Sequence, residues 1–360
     1  MATPLSPGST IGIIGGGQLG RMLAMAAARL GYRTIVLEPQ ADCPAAQVAN
    51  RQIVAAYDDP GALAELAKSC DVVTYEFENV PVNAAERLAR LVPVCPPQSA
   101  LEVSQDRLVE KTFLNDIGAP TARFARIDAD ADLARELLAM GGKGVLKTRR
   151  MGYDGKGQRV LDDPDATAGI FAAMGAVPLI LEQFVPFERE ISIIAARGHD
   201  GQAVCYDPAE NVHRDGILRM SRVPANVTAA TTVSARRIAT AILERLAYVG
   251  VIGVEFFVLA DGQVLVNEIA PRVHNSGHWT EAGCVVSQFD NHIRAVAGLP
   301  LGDACRHSDC VMENLIGDEI ARTPALAAES GVSIHLYGKT KARPGRKMGH
   351  FNRIAPRTRT

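Results

Sequence analysis

No two cysteines in this 360-residue chain are spaced C-x-x-C, and their number, seven, is odd. That argues against a zinc ribbon or a disulfide framework and points to reduced thiols in a cytoplasmic enzyme. A basic surplus is missing too. Thirty-eight Lys and Arg stand against 40 Asp and Glu, a net charge of −2, so no nucleic-acid partner is expected. No uninterrupted apolar run reaches the ~18 residues of a membrane helix, and the first residues, Met1–Gly8, have neither the basic nor the apolar region of a secretory signal. A membrane partner is therefore not expected either. The Walker A pattern, an internal repeat and low-complexity tracts are all absent. What remains is 47% hydrophobic and 22% charged, which excludes a disordered chain or a fibre. The length suggests two or three domains.

Strands are predicted at residues 11–14, 34–38 and 71–78, with a helix from Gln18 to Leu30 that Gly31 closes. That alternation predicts a parallel sheet with helices on its faces. Val92–Pro97 reads as the exit linker, followed by one helix from Ser99 to Ile117. The middle of the chain has an α+β texture. Strands are predicted at 144–147 and 179–185, an antiparallel pair at 190–196 and 203–206, and a helix over 228–248. A hairpin follows, 253–259 with 263–269, turning at Asp261-Gly262. Two more strand-like segments, 310–315 and 332–337, precede a basic loop from Lys339 to Lys347.

Six segments carry possible chemistry. Gly15-x-Gly17-x-x-Gly20, between strand and helix, suits a phosphate at a helix N-terminus, and Glu38 ends the next strand where a dinucleotide ribose would want an acid. NAD, another phosphate ligand or a structural turn all satisfy that pattern. Lys147 ends a strand before a loop of three glycines, Gly152, Gly155 and Gly157, and further cations, which suits a polyphosphate or else a surface hairpin. Leu181–Val185 could offer a strand edge and the Phe184 ring to a base, with Glu190 for a ribose, or be an ordinary buried strand. Glu255 and Asn267-Glu268 place carboxylates in apolar strands that the Asp261-Gly262 turn sets opposite one another. Two facing carboxylates suit magnesium, or they face water at a sheet edge. Arg272, His274, Asn275 and Ser276 leave that hairpin together, as an anion pocket or as a loop packed on its scaffold. Five cations in nine positions, 339–347, make a solvated patch or a phosphate or bicarbonate clamp.

The order of these segments resembles the ATP-grasp superfamily. Within it, Gly15-Gly-Gly-Gln-Leu-Gly-Arg-Met22, Tyr75-Glu-Phe-Glu78, Gly152–Gln158, Asn267–Thr280 and Arg343–His350 are similar to the 5-(carboxyamino)imidazole ribonucleotide synthase family of purine biosynthesis. The resemblance implies an α/β and α+β fold in three parts. These are a Rossmann-like N-terminal domain at 1–105, an ATP-grasp domain at 106–298 with a small subdomain at roughly 122–185, and a small C-terminal domain at 299–360. It also implies a reaction, in which ATP phosphorylates bicarbonate to carboxyphosphate and aminoimidazole ribonucleotide takes up the carboxyl group. A homodimer is implied as well. The family is expected to continue some tens of residues past His350, so the C-terminal domain looks shortened and the tail Arg353–Thr360 solvated.

Carried over by position, ATP would meet Arg107, Lys147, Gly152, Tyr153, Asp154, Gly155, Lys156, Gly157, Gln158, Glu182, Gln183, Phe184, Val185, Glu190, His213, Asn267 and Glu268. Glu255 and Glu268 would hold Mg2+, in two ions. The ribonucleotide or bicarbonate would meet Gln18, Leu19, Glu76, Tyr153, Arg272, His274, Asn275, Ser276, Arg346 and Lys347. The catalytic set would be Asp154, Arg272, His274 and Lys347. Three other readings compete. They are another ATP-grasp ligase, such as a formate-dependent transformylase; an oxidoreductase resting on the glycine turn and Glu38; and a nucleotide sensor without turnover.

Overall fold

Four parallel strands begin the chain in a computed structural model that describes residues 3–152 and 155–358. Their order is Arg51–Ile53, Arg33–Leu37, Thr10–Ile14, Val72–Tyr75. Apolar β-branched runs bury the last four residues of each inner strand and all of Val72–Tyr75, as a sheet covered on both faces requires. Arg51–Ile53 escapes prediction because three residues carry no period. The helix Gln18–Arg29 ends as expected, with Gly31 at φ +79° and its N–H bonded to Ala28 O. The expected exit linker adds a parallel bridge, Val73 to Val94.

The single helix expected over 99–117 is two, Gln98–Ser104 and Arg107–Asp116. Asp106 breaks it. Its carboxylate caps the second helix at the Leu108 N–H (3.0 Å) and grips Arg149 at 2.9 and 2.7 Å. The break places Arg107 at the start of a new helix, facing the cleft described below.

A small antiparallel sheet follows, in the order Phe124–Ile127, Leu179–Gln183, Gly144–Thr148, Gln158–Leu161. The large sheet runs Val264–Ala270, Gly250–Val258, Arg189–Arg197, Ala209–Arg214, Ile217–Val223, Ser308–Ile316, Lys347–Pro356, Val332–Leu336, with Ala203–Cys205 paired on Arg189–Arg197. The expected antiparallel pair and acidic hairpin are both present. Helix Ala229–Arg245 covers one face, capped by Thr228 through the Thr231 N–H.

The last three strands continue the large sheet without interruption, since Met220 pairs with Glu313 and Val223 with Cys310. The tail is also more ordered than its sequence suggests. Arg353–Pro356 is strand, paired with Ser308–Val311, although its outer side chains remain exposed. All seven cysteines are free. Among the described residues, no helix is long and apolar enough to cross a membrane.

Candidate active site

The acidic hairpin turns at Gly262, whose φ of +80° a glycine adopts without strain. Glu255 and Glu268 are then direct cross-strand partners, with a bulge just after Glu255. The Arg107 guanidinium reaches Glu268 at 2.8 Å. Burial pushes both carboxyls up. At Glu255 the facing Glu268 adds to it, and the group rises to about 7. At Glu268 the attraction of Arg107, then Lys147, outweighs burial and holds it down to about 2. Beside them the Asn267 side-chain oxygen is buried and has no hydrogen-bond partner among the described residues. Two facing carboxylates and an orphaned amide oxygen form an oxygen donor set, which fits a hard divalent cation.

Lysines fix the neighbouring strands. Lys111, fully buried, donates to Asn267 O at 2.8 Å and lies 3.4 Å from Glu182. Lys147 meets the same carboxylate at 3.0 Å. Burial pulls Lys147 down, partly offset by Glu182. Both lysines engage Glu182 Oε2, and among the described residues Glu182 Oε1 is buried without a hydrogen-bond partner. The expected strand edge is not where it was predicted. Leu179–Gln183 is an inner strand, and the chain leaves its ladder only past Gln183. Phe184 then stands half exposed under Lys143, and Phe187 stacks on Phe257 with ring centres 4.6 Å apart. His213 Nδ1 donates to the Glu190 carboxylate at 2.7 Å. Burial lowers that imidazole, but Glu190 and Glu255 outweigh it and raise it.

Two cavities meet here. One, of 320 Å3, lies between the small and large sheets and takes in Lys147, Gly155, Lys156, Gln158, Glu182, Gln183, Phe184, Val185, Glu190, His213, Glu255 and Asn267. The other, of 340 Å3, lies toward the N-terminal sheet and takes in Gln18, Leu19, Glu76, Gly152 and Arg272. Five of the described residues line both: Arg107, Glu268, His274, Asn275 and Lys347. Gly157, Ser276 and Arg346 line neither. Ser276 is fully buried behind the wall, bonded to Ser192 Oγ at 2.7 Å and His274 Nδ1 at 2.9 Å, so it orients the imidazole. Arg346 donates to Lys341 O at 2.9 Å. Tyr153 and Asp154 fall outside the described residues. His274 is pushed down to about 3, by burial first and then by Arg272 and Lys347, so its ring is neutral.

The glycine turn serves a different end from a dinucleotide site. The Gly17 and Gly20 N–H groups donate to Glu76 at 2.6 and 2.7 Å, and the Gly16 N–H donates to Glu38 at 2.9 Å. Amides that would hold a pyrophosphate are occupied by the chain's own carboxylates. A Cβ on Gly17 would lie 2.5 Å from Glu76 Oε1, so this glycine makes room for an acid. The oxidoreductase reading loses its basis, because Glu38 is also bonded to Tyr57 OH.

Sequence reasoning missed Glu78, which holds the Arg272 guanidinium, and Lys111 and Glu110, which brace the acidic strand. Glu78 sits inside a segment already singled out. Lys111 lies one helical turn after Arg107, a spacing that could have flagged it.

The chain matches the models of the ribonucleotide synthetase preATP-grasp domain over residues 8–105, the ATP-grasp domain over 112–289 and the phosphoribosylaminoimidazole carboxylase C-terminal domain over 310–360. It is 64% identical over 358 residues to the N5-carboxyaminoimidazole ribonucleotide synthase of Brucella melitensis, covering 99% of both chains. A solved N5-carboxyaminoimidazole ribonucleotide synthetase in complex with ADP superposes with a TM-score of 0.95 at 41% identity, over 99% of this chain and 94% of the other. The Aspergillus clavatus enzyme in complex with ADP and 5-aminoimidazole ribonucleotide superposes with a TM-score of 0.92 at 33% identity, over 97% and 94%. On these matches, and with facing carboxylates between two joined cavities, the chain belongs to the N5-carboxyaminoimidazole ribonucleotide synthase family of ATP-grasp ligases.

Proposed function

We propose that the protein carboxylates 5-aminoimidazole ribonucleotide with bicarbonate at the expense of ATP, giving 5-(carboxyamino)imidazole ribonucleotide, ADP and phosphate in purine biosynthesis. The observation that carries this reading is the shared wall of the two cavities. A nucleotide in the first chamber would direct its terminal phosphate at Arg107, Glu268 and Lys347. A ribonucleotide in the second would direct its amine at the same residues. Phosphoryl transfer needs charge neutralisation and alignment more than covalent chemistry. Bicarbonate oxygen takes the γ-phosphoryl group and ADP leaves. The exocyclic amine then attacks the carboxyl carbon of carboxyphosphate and displaces phosphate, or attacks carbon dioxide that carboxyphosphate has released together with phosphate, and in either route the amine gives up one proton.

Glu255 and Glu268, with the Asn267 oxygen beside them, would hold Mg2+, which neutralises phosphate charge when bound. Lys147, Arg107 and the Gly152–Gln158 loop would line the phosphates. The backbone past Gln183, with Phe184 and Val185, would take adenine, and Glu190 with His213 the ribose. Gln18, Leu19, Glu76, Arg272 and Asn275 would hold the ribonucleotide. His274, neutral and fixed by Ser276, orients the acceptor without adding charge. Lys347 reaches both chambers and would steady the carboxyphosphate. Labile carboxyphosphate requires exclusion of water, a role that falls to the loop before Gln158. A cytoplasmic homodimer completes the reading.

ADP release with bicarbonate and aminoimidazole ribonucleotide omitted in turn tests it. Full turnover should require both. Turnover with formate in place of bicarbonate, or none with either, overturns it.

A further inference from the structure

Behind the wall that carries His274 and Lys347, a second group of ligating side chains converges. Glu281 stands on the short helix Thr280–Gly283, while His335 and His350 are direct cross-strand partners on Val332–Leu336 and Lys347–Pro356. One ligand atom of each lies within 4.8 Å of the others. Glu281 Oε2 is 3.4 Å from His335 Nδ1 and 3.7 Å from His350 Nε2. Among the described residues Glu281 Oε2 and His350 Nε2 are buried without a hydrogen-bond partner. Buried polar atoms left unpaired are rare, and two facing each other call for a third partner.

The remaining ring nitrogens are occupied. His335 Nε2 meets Ser333 Oγ at 3.1 Å and His350 Nδ1 meets Tyr337 OH at 2.9 Å. Hydrogen bonding at the far nitrogen is how proteins orient an imidazole toward a metal. We propose that Glu281, His335 and His350 bind a divalent transition ion of the zinc class, apart from the oxygen donors of the acidic hairpin. Ligands held about 2.0–2.1 Å from a tetrahedral zinc stand about 3.3 Å from one another, close to both oxygen–nitrogen separations. Two imidazoles and one carboxylate favour zinc over magnesium, which prefers oxygen alone. A 360 Å3 cleft lined by Glu281, His335 and Ser333 gives the ion a path in. The two rings stack with planes 2° apart, so their in-plane lone pairs meet at one ion only when the rings tilt. Binding therefore opens the stack. It also ties the Thr280 helix to the two terminal strands, and one of those strands carries Lys347.

Cobalt(II) is the probe, added to the full chain with excess Mg2+ occupying the oxygen donors. The wild type should bind one equivalent with the visible absorption of a tetrahedral N/O site. His335→Ala and Glu281→Gln should each weaken binding at least tenfold while still unfolding cooperatively. His335 lies on an edge strand and is partly exposed, so its loss spares the core. Zinc should raise the unfolding temperature of the wild type and leave both variants unmoved. No visible band in the wild type, or an undiminished band in His335→Ala, overturns the assignment.

Discussion

Replacing Glu268 by alanine separates the structural part of that carboxylate from its proposed chemical part. In the folded chain it meets Arg107 at 2.8 Å, and its side chain is 39% exposed to the cavity. An ion pair that open to solvent contributes no more than about 1 kcal/mol to folding. Arg107 also keeps the fields of Glu110 and Glu182 once Glu268 is gone. The unfolding temperature should thus drop by roughly 2–4 °C at most. Turnover should suffer far more. Removing a group that stabilises transferring charge costs roughly 10²-fold or more, about 2.7 kcal/mol. ADP release at saturating substrates, set beside thermal unfolding of the same samples, reads both quantities. Near-normal turnover refutes the metal role. A collapse of stability matching the loss of activity would show instead that the carboxylate is structural.

The remaining predictions address other walls of the site. Glu255 rises to about 7 because it is buried and faces Glu268, so it is protonated, and a poor cation ligand, below that pH. The apparent affinity for Mg2+ should fall as pH drops from about 8 to about 6, and Glu255→Gln should weaken binding and flatten that dependence; unchanged pH dependence in the variant contradicts the reasoning. Gly17→Ala puts a methyl 2.5 Å from Glu76 Oε1 and should displace that acid. Its KM for the ribonucleotide should rise roughly tenfold with the KM for ATP little changed, as removal of binding shared by ground and transition states does; equal effects on both would place Glu76 elsewhere. Lys347→Ala should harm use of bicarbonate or ribonucleotide more than ATP affinity in steady-state kinetics, and a selective loss of ATP binding would contradict its place on the shared wall.

Much of this was readable from local pattern. The first βα unit, the antiparallel pair at 190–206 and the acidic hairpin follow from apolar period and turn residues, because each is settled by near neighbours in the chain. The approach of Glu255 and Glu268 on one hairpin follows from the turn as well, but their direct facing needs the bulge after Glu255, since Phe256 pairs with Val266 and Val258 with Val264. The elements that failed depend on distant partners. One helix became two because Asp106 found Arg149, 43 positions away. A presumed strand edge became an inner strand because Phe124–Ile127 paired on its far side. A glycine turn that could have held a dinucleotide accepted Glu76 instead, from 56 and 59 positions on.

Composition, turn chemistry and motif order in the sequence by themselves determined a three-part α/β and α+β chain with paired carboxylates on a hairpin and a family to which it belongs. Only the tertiary structure decided that two cavities share one wall, that Lys111 and Glu78 brace it from behind, and that the C-terminal strands extend the same sheet. The reason is physical: register and period act between residues close in the chain, whereas ion pairs and sheet neighbours are chosen by whatever side chains the whole fold brings within a few ångströms.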